Sequence, residues 1–195
     1  MDHGSLKAEL RRQTLGRRDA LSDEERIEAS LKIHEIGAAE IDTGRGEIVS
    51  GFWPIRSEVD VRPLMAALRD KGARLCLPVT LGRTTIVFRE LIRGAEMVET
   101  GYGTMGPGPA AETLDPTTML VPLAAFDNTG HRIGYGAGHY DRAISNLHNR
   151  GSNPRLIGVA FSTQQVDAVP YQAHDVALSA VLTEEGLHSM PANGT

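Results

Sequence analysis

The chain has 195 residues, 41% of them apolar, which is enough to bury one core and favours a single domain over residues 1–195. A formal charge of -5, from 20 basic and 25 acidic residues, does not supply the basic surface that a general nucleic-acid binder needs. No run of about 18 apolar residues occurs, and the opening MDHGSLKAELRRQ has no apolar stretch of signal-peptide type, so no membrane association is expected and the cytoplasm is the expected location.

Residues 5 to 18 are rich in helix formers and carry Arg11-Arg12 and Arg17-Arg18, which predicts a helix with Leu6 and Leu10 on one face and cations on another. Ser22 followed by Glu25 is a capping-box pattern, and Ile27, Leu31 and Ala38 recur at helical spacing in a second helix until Gly37 to Gly46 loosen the chain. EIVSGFW (47–53) reads as a strand, DVRPLMAALRDK (60–71) as a helix closed by Gly72, and residues 74 to 79 as a second strand. The lone cysteine, Cys76, lies in this apolar run and reads as a buried structural thiol. TIVFREL (85–91) is another strand, and residues 101 to 117, with four glycines and three prolines, read as mostly loop. Residues 118 to 126 form an apolar strand, 139 to 149 a helix, 155 to 161 a strand and 179 to 183 a short last strand. HSMPANGT reads as a polar frayed tail, its last part at about 189–195. Apolar strands that alternate with helices predict an α/β fold with a mainly parallel sheet covered on both faces.

Within LVPLAAFDNTGHRIGYGAGHYDR (120–142) a strand ends in an Asp-Asn-Thr-Gly turn and leads to Gly134, Gly136 and Gly138 at alternate positions, after which a helix begins. Glycines there allow positive φ and close backbone approach, and the loop N–H groups with the helix N-terminus suit a phosphate; a tight strand-to-helix turn would use them equally well. Arg132 adds a cation beside the loop. Asp141, one turn into the helix, is placed either to hold a Mg²⁺ ion that bridges phosphates or to interact with the helix dipole. No Lys-Ser or Lys-Thr pair follows the glycines, so this is neither a P-loop nor the dinucleotide fingerprint.

The segment DNTGHRIGYGAGHYDR resembles the signature of the 5-formyltetrahydrofolate cyclo-ligases, also called methenyltetrahydrofolate synthetases. KAELRR, FWPIRSEVDVRPLMAAL, LCLPV and VPYQAHDVALSAVLTE extend the resemblance in order along nearly the whole chain. It implies a three-layer Rossmann-like sandwich, similar to the sugar-phosphate isomerase and CoA transferase type, that acts as a monomer on ATP and a reduced folate. By this resemblance Lys7, Arg11 and Arg132 are the phosphate-binding catalytic cations, with Ile133, Gly134, Tyr135, Gly136, Ala137, Gly138, His139 and Tyr140 wrapping the ATP, and Asp141 with Asp175 coordinating Mg²⁺. Lys7 and Arg11 are four apart and so share a helix face, which without the resemblance would read as a solvated face.

The folate side implied by the resemblance comprises Phe52, Trp53 and the catalytic Glu58, with Arg11, Tyr135, Gly136, Ala137, Gly138 and His139. Aromatic faces suit a flat pterin and a carboxylate suits its N–H groups, although Phe52 could equally be core. Where the family signature commonly reads Gly-Tyr-Tyr-Asp, this chain has Gly138-His139-Tyr140-Asp141, and a histidine there predicts pH-dependent substrate binding at about pH 6–7. The implied reaction is ATP-dependent closure of 5-formyltetrahydrofolate to 5,10-methenyltetrahydrofolate through an iminium phosphate, releasing ADP and phosphate. A different enzyme on a similar scaffold would turn over without ATP, and a non-catalytic binding module would hold both ligands without releasing ADP.

Overall fold

The computed structural model describes residues 3–82, 85–101, 103–172 and 175–191. Helices α1 (His3–Asp19) and α2 (Asp23–Glu40) precede strand β1 (Ile48–Ser50), and α3 (Arg62–Asp70) leads to β2 (Arg74–Leu81) and β3 (Thr85–Glu90). The short strands β4 (Met97–Glu99), β5 (Met105–Pro107) and β6 (Thr113–Leu114) follow, then β7 (Thr118–Pro122), β8 (Ala125–Phe126) and β9 (Arg132–Ile133). The chain continues through α4 (His139–Asn149), β10 (Arg155–Val159), a 3₁₀ turn (Ser162–Gln164), β11 (Ala180–Thr183) and β12 (Gly186–Ser189).

Local chemistry accounts for several boundaries. The Ser22 hydroxyl accepts the Glu25 N–H while the Glu25 carboxylate accepts the Ser22 N–H at 2.7 Å, which closes the expected capping box on α2. Pro63 sits in the first turn of α3, where its missing N–H costs no helical bond.

The main sheet runs β12-β11-β10-β7-β1-β2-β3-β6. Its centre, β11 through β2, is parallel, and β12, β3 and β6 run antiparallel at the margins. Alternate side chains along each strand face opposite layers. Leu75, Leu77 and Leu120 pack with Ile33 of α2 and with Leu64 and Leu68 of α3; Cys76, Met119 and Val121 pack with Ile144 and Leu147 of α4 on the other side. The result is a three-layer α/β sandwich. Cys76 is fully buried and its thiol is pushed up to about 12 by that burial, as a structural cysteine should be. Among the described residues no helix is long and apolar enough to cross a membrane.

Two expectations are corrected. The strand expected over 118–126 breaks after Pro122, and Ala125–Phe126 leaves the sheet to pair with Arg132–Ile133. Residues 101 to 117 are mostly loop, as expected, with two short strands in which β5 pairs with β4 and β6 with β3. The tail is ordered further than its polarity suggested. His188 and Ser189 belong to β12, an edge strand that needs only Leu187 to pack inward while His188 and Ser189 face solvent, and the Met190 N–H donates to the Ser179 carbonyl at 2.9 Å. Residues 192–195 lie outside the described set.

Candidate active site

Residues that end or follow β1, β2 and β7 enclose a cavity of about 470 Å³, at the carboxyl side of the parallel strands where open α/β sheets hold ligands. The volume lies within the ~300–1,000 Å³ of small-molecule sites. Every residue singled out from the sequence lines it: Lys7 and Arg11 from α1, Phe52, Trp53 and Glu58 after β1, residues 132 to 141 of the glycine loop and α4, and Asp175.

The glycine loop is held from beneath by Asp127. One carboxylate oxygen accepts the backbone N–H groups of Thr129 and His131 and the Thr129 hydroxyl, and the other accepts the Val169 N–H at 2.8 Å. Burial acts to raise this carboxyl, but the hydrogen bonds outweigh it and hold it below the usual range. Above that base the glycines differ. Gly136 has φ 102 and Gly138 φ 63, so the left-handed region is needed at both. Gly134 is not among the positive-φ glycines, and nothing lies within 4 Å of a Cβ built on it, so neither backbone nor space requires glycine there. Gly138 is the N-cap of α4 and makes no side-chain capping bond, so the helix N-terminus follows directly on the glycine loop.

The cations are already engaged. Lys7 Nζ donates to Asp175 Oδ2 at 2.5 Å, Arg132 Nη2 donates to Asp141 Oδ1 at 2.5 Å, and Arg11 Nε donates to the Gly134 carbonyl at 2.7 Å. Arg132 also donates to the Val176 carbonyl. These bonds tie α1, the glycine loop, α4 and the segment before β11 into one wall. Among the described residues no group of three or more His, Cys, Asp or Glu forms a metal cage. Asp141 and Asp175 nevertheless line the same cavity as the glycine loop, Lys7, Arg11 and Arg132. That donor set fits Mg²⁺, which takes one or two carboxylates and completes its shell with water and phosphate oxygens.

The opposite wall carries Glu58. Its turn closes through the Glu58 N–H on the Ile55 carbonyl and the Ile55 N–H on Glu58 Oε2 at 2.9 Å, with Arg56 forced to φ 54 between them. Burial raises the Glu58 carboxyl above its ordinary value, against the hydrogen bond from Tyr135, that from Ile55, and the charges of Arg18 and Arg56. Burial likewise raises the Tyr135 phenol, whose ring is 41% exposed at the cleft while its hydroxyl lies inward. Phe52 is both core and lining, at 3% exposure. Trp53 lines the cavity and also lies under the Arg62 guanidinium, 5.4 Å from its ring centroid. Burial, and then the charge of Arg142, hold His139 below its ordinary value.

Sequence reasoning missed the apolar floor made by Ile55, Pro78, Ile86, Met105 and Pro122, and the hydroxyls of Thr80 and Thr104. Pro78 inside β2 and Pro122 at the end of β7 were the available signal, since proline inside a sheet marks an interruption. It also misplaced α1's faces: Leu6 is 40% exposed, whereas Arg18 is 3% exposed. Arg18 turns inward because hydrogen-bond partners on two loops await it there.

A model of the 5-formyltetrahydrofolate cyclo-ligase family matches residues 3–184. The chain is 34% identical over 146 residues to the 5-formyltetrahydrofolate cyclo-ligase of Mycolicibacterium smegmatis, covering 71% of this chain and 74% of that protein. It is 30% identical over 141 residues to the Escherichia coli K12 protein of the same name, covering 69% and 76%. The fold matches the solved 5,10-methenyltetrahydrofolate synthetase of Aquifex aeolicus with a TM-score of 0.81 at 30% identity, over 97% of this chain and 95% of that one. The corresponding protein of Mycoplasma pneumoniae matches at TM-score 0.72 and 26% identity, over 95% and 100%.

Proposed function

Because the chain belongs to the 5-formyltetrahydrofolate cyclo-ligase family, we propose that its cleft closes 5-formyltetrahydrofolate to 5,10-methenyltetrahydrofolate at the expense of ATP, releasing ADP and phosphate. The observation that carries this reading is the convergence of a cationic glycine-loop wall and a carboxylate-bearing apolar wall on one cavity. Phosphates and a pterin require such opposite surroundings. The proposed catalytic unit is a monomer, and a cytoplasmic location would supply both ligands.

An N-formyl group is an amide and resists attack by the second folate nitrogen. In the proposed sequence the formyl oxygen displaces ADP from the γ-phosphate to give an iminium phosphate. N10 then attacks the formyl carbon, phosphate leaves with the former formyl oxygen, and the N10 proton passes to solvent. The protein's part is positioning and charge neutralisation. Lys7, Arg11 and Arg132 draw the transferring phosphoryl charge, the N–H groups at Gly136 to Tyr140 fix the phosphate chain, and Glu58 accepts pterin N–H groups. Asp141 and Asp175 would hold Mg²⁺, which when bound screens charge between the phosphates. The Lys7–Asp175 and Arg132–Asp141 pairs keep these cations and carboxylates oriented before ligands arrive.

The test is the rise in near-ultraviolet absorbance of the conjugated methenyl bridge on mixing the protein with 5-formyltetrahydrofolate, ATP and Mg²⁺, with ATP omitted as control. Growth that requires ATP and is abolished by Asp141→Asn supports the reading. Turnover without ATP, or binding of both ligands without ADP release, overturns it.

A further inference from the structure

Beneath the folate wall, and outside the residues given a role so far, lies a buried cation. Arg18, on the last turn of α1, is 3% exposed. Its Nε donates to Ser57 Oγ at 3.0 Å and its Nη1 donates to the Tyr135 hydroxyl at 2.6 Å. Ser57 belongs to the turn that carries Glu58, and Tyr135 belongs to the glycine loop, so one guanidinium fastens the two opposing walls of the cleft. The Tyr135 hydroxyl faces the Glu58 carboxylate, and the two groups act on each other's ionisation. Ser57 donates onward to Asp19, whose carboxylate lies 3.9 Å from Arg18 Nε and fixes the guanidinium from the solvent side.

We infer that Arg18 is a positioning residue for the folate end of the cleft: it locks the strained Glu58 turn against the glycine loop and relays its positive charge to Glu58 through the Tyr135 hydroxyl. The inference rests on the functional reading above, in which Glu58 meets the pterin as a carboxylate. The geometry supplies the reason a relay is needed. Glu58 sits on an apolar floor where burial opposes its ionised form, and its own turn holds Arg56 at a φ that non-glycine residues adopt only under restraint. The titratable and charged groups that face Glu58 are Arg18 from α1, Arg56 from its own turn, Tyr135 from the glycine loop and Tyr140 from α4. Only Arg18 is at once a permanent charge, buried, and bonded to both walls. Arg18 Nη1 donates to the Tyr135 oxygen, so the phenol proton is turned away from the guanidinium and toward Glu58.

The experiment titrates 5-formyltetrahydrofolate onto the full chain across about pH 5–8, read by the fluorescence of Trp53, for wild type, Arg18→Met, Arg18→Lys and Tyr135→Phe, with steady-state kinetics and thermal melts alongside. Arg18→Met should raise Kd and KM for the folate by about tenfold or more, the loss expected for a hydrogen bond to a charged group, with a smaller change in kcat. The pH below which folate binding is lost should move upward. Arg18→Lys, which keeps the charge but not the fork, should recover part of the pH shift. Tyr135→Phe should reproduce it with Arg18 intact. A folded Arg18→Met with wild-type Kd and unmoved pH dependence overturns the inference. Should Arg18→Met fail to fold, Tyr135→Phe decides alone, and an unmoved pH dependence there is equally fatal. A wild-type chain that binds no folate brings down the proposed function and this inference with it, whereas wild-type binding with unaffected variants removes the inference only.

Discussion

Substituting alanine in turn for Gly134, Gly136 and Gly138 separates what the backbone of the loop requires from what its composition suggests. Alanine in the left-handed region costs about 1–2 kcal/mol, and Gly138, at φ 63, sits near the centre of that region. A Cβ there would stand 3.0 Å from Arg142 Nη1, the movable end of a flexible side chain, so sterics add little. Gly136, at φ 102, lies outside the basin open to alanine and should cost about 2–3 kcal/mol, although its nearest neighbour, Arg11 Cζ, is 3.6 Å from the built Cβ and gives no clash. Gly134 has neither constraint, and alanine there restricts the unfolded chain, which is worth about 0.4–1 kcal/mol in the stabilising direction. At about 2–4 °C per kcal/mol for a domain of this size, Tm should be unchanged or raised for Gly134→Ala, lowered by about 2–8 °C for Gly138→Ala, and lowered most for Gly136→Ala. Differential scanning calorimetry of the unliganded chain reads all three. Equal losses at Gly134 and Gly138, or no loss at Gly136, would refute the assignment of strain.

Glu58→Gln should separate stability from function. Because its folded carboxyl is raised, Glu58 stabilises the fold fully only below the ordinary value of 4.5, and that contribution is lost as pH rises through the raised value. The glutamine variant should therefore melt above wild type at about pH 7 and converge with it at low pH, while losing folate affinity in equilibrium titrations. Lys7→Met removes a phosphate cation and leaves Asp175 without its 2.5 Å partner, so KM for ATP should rise by about tenfold or more, with the folate KM changed less. Cys76, fully buried with its thiol pushed up to about 12, should resist iodoacetamide in the native chain and react after unfolding; ready labelling of the native protein would contradict its placement.

The sheet was legible because its strands are apolar on both faces, as in residues 118–121, and because Ser22, Glu25 and Gly72 carry unambiguous boundary chemistry. The cavity's glycine wall was legible for a different reason: loop, helix start and Arg132 are contiguous in sequence. What escaped reading depends on contacts between distant segments. Arg18 looks like any surface arginine on a polar helix until Ser57 and Tyr135, 39 and 117 residues away, are folded against it. Edge strands β6 and β12 escaped because their order comes from backbone pairing with a neighbour, which leaves little pattern in their own side chains.

The ion pair between Lys7 and Asp175 spans 168 residues of chain. Contacts so far apart close late, after shorter loops have formed. During synthesis, therefore, α1 would emerge early with Lys7 lacking Asp175, and that wall of the cavity could not be completed until the segment before β11 had left the ribosome. An unfinished chain would carry residues 52–58 yet lack Asp175, so the lining of the cavity is complete only when the C-terminal part of the chain is in place.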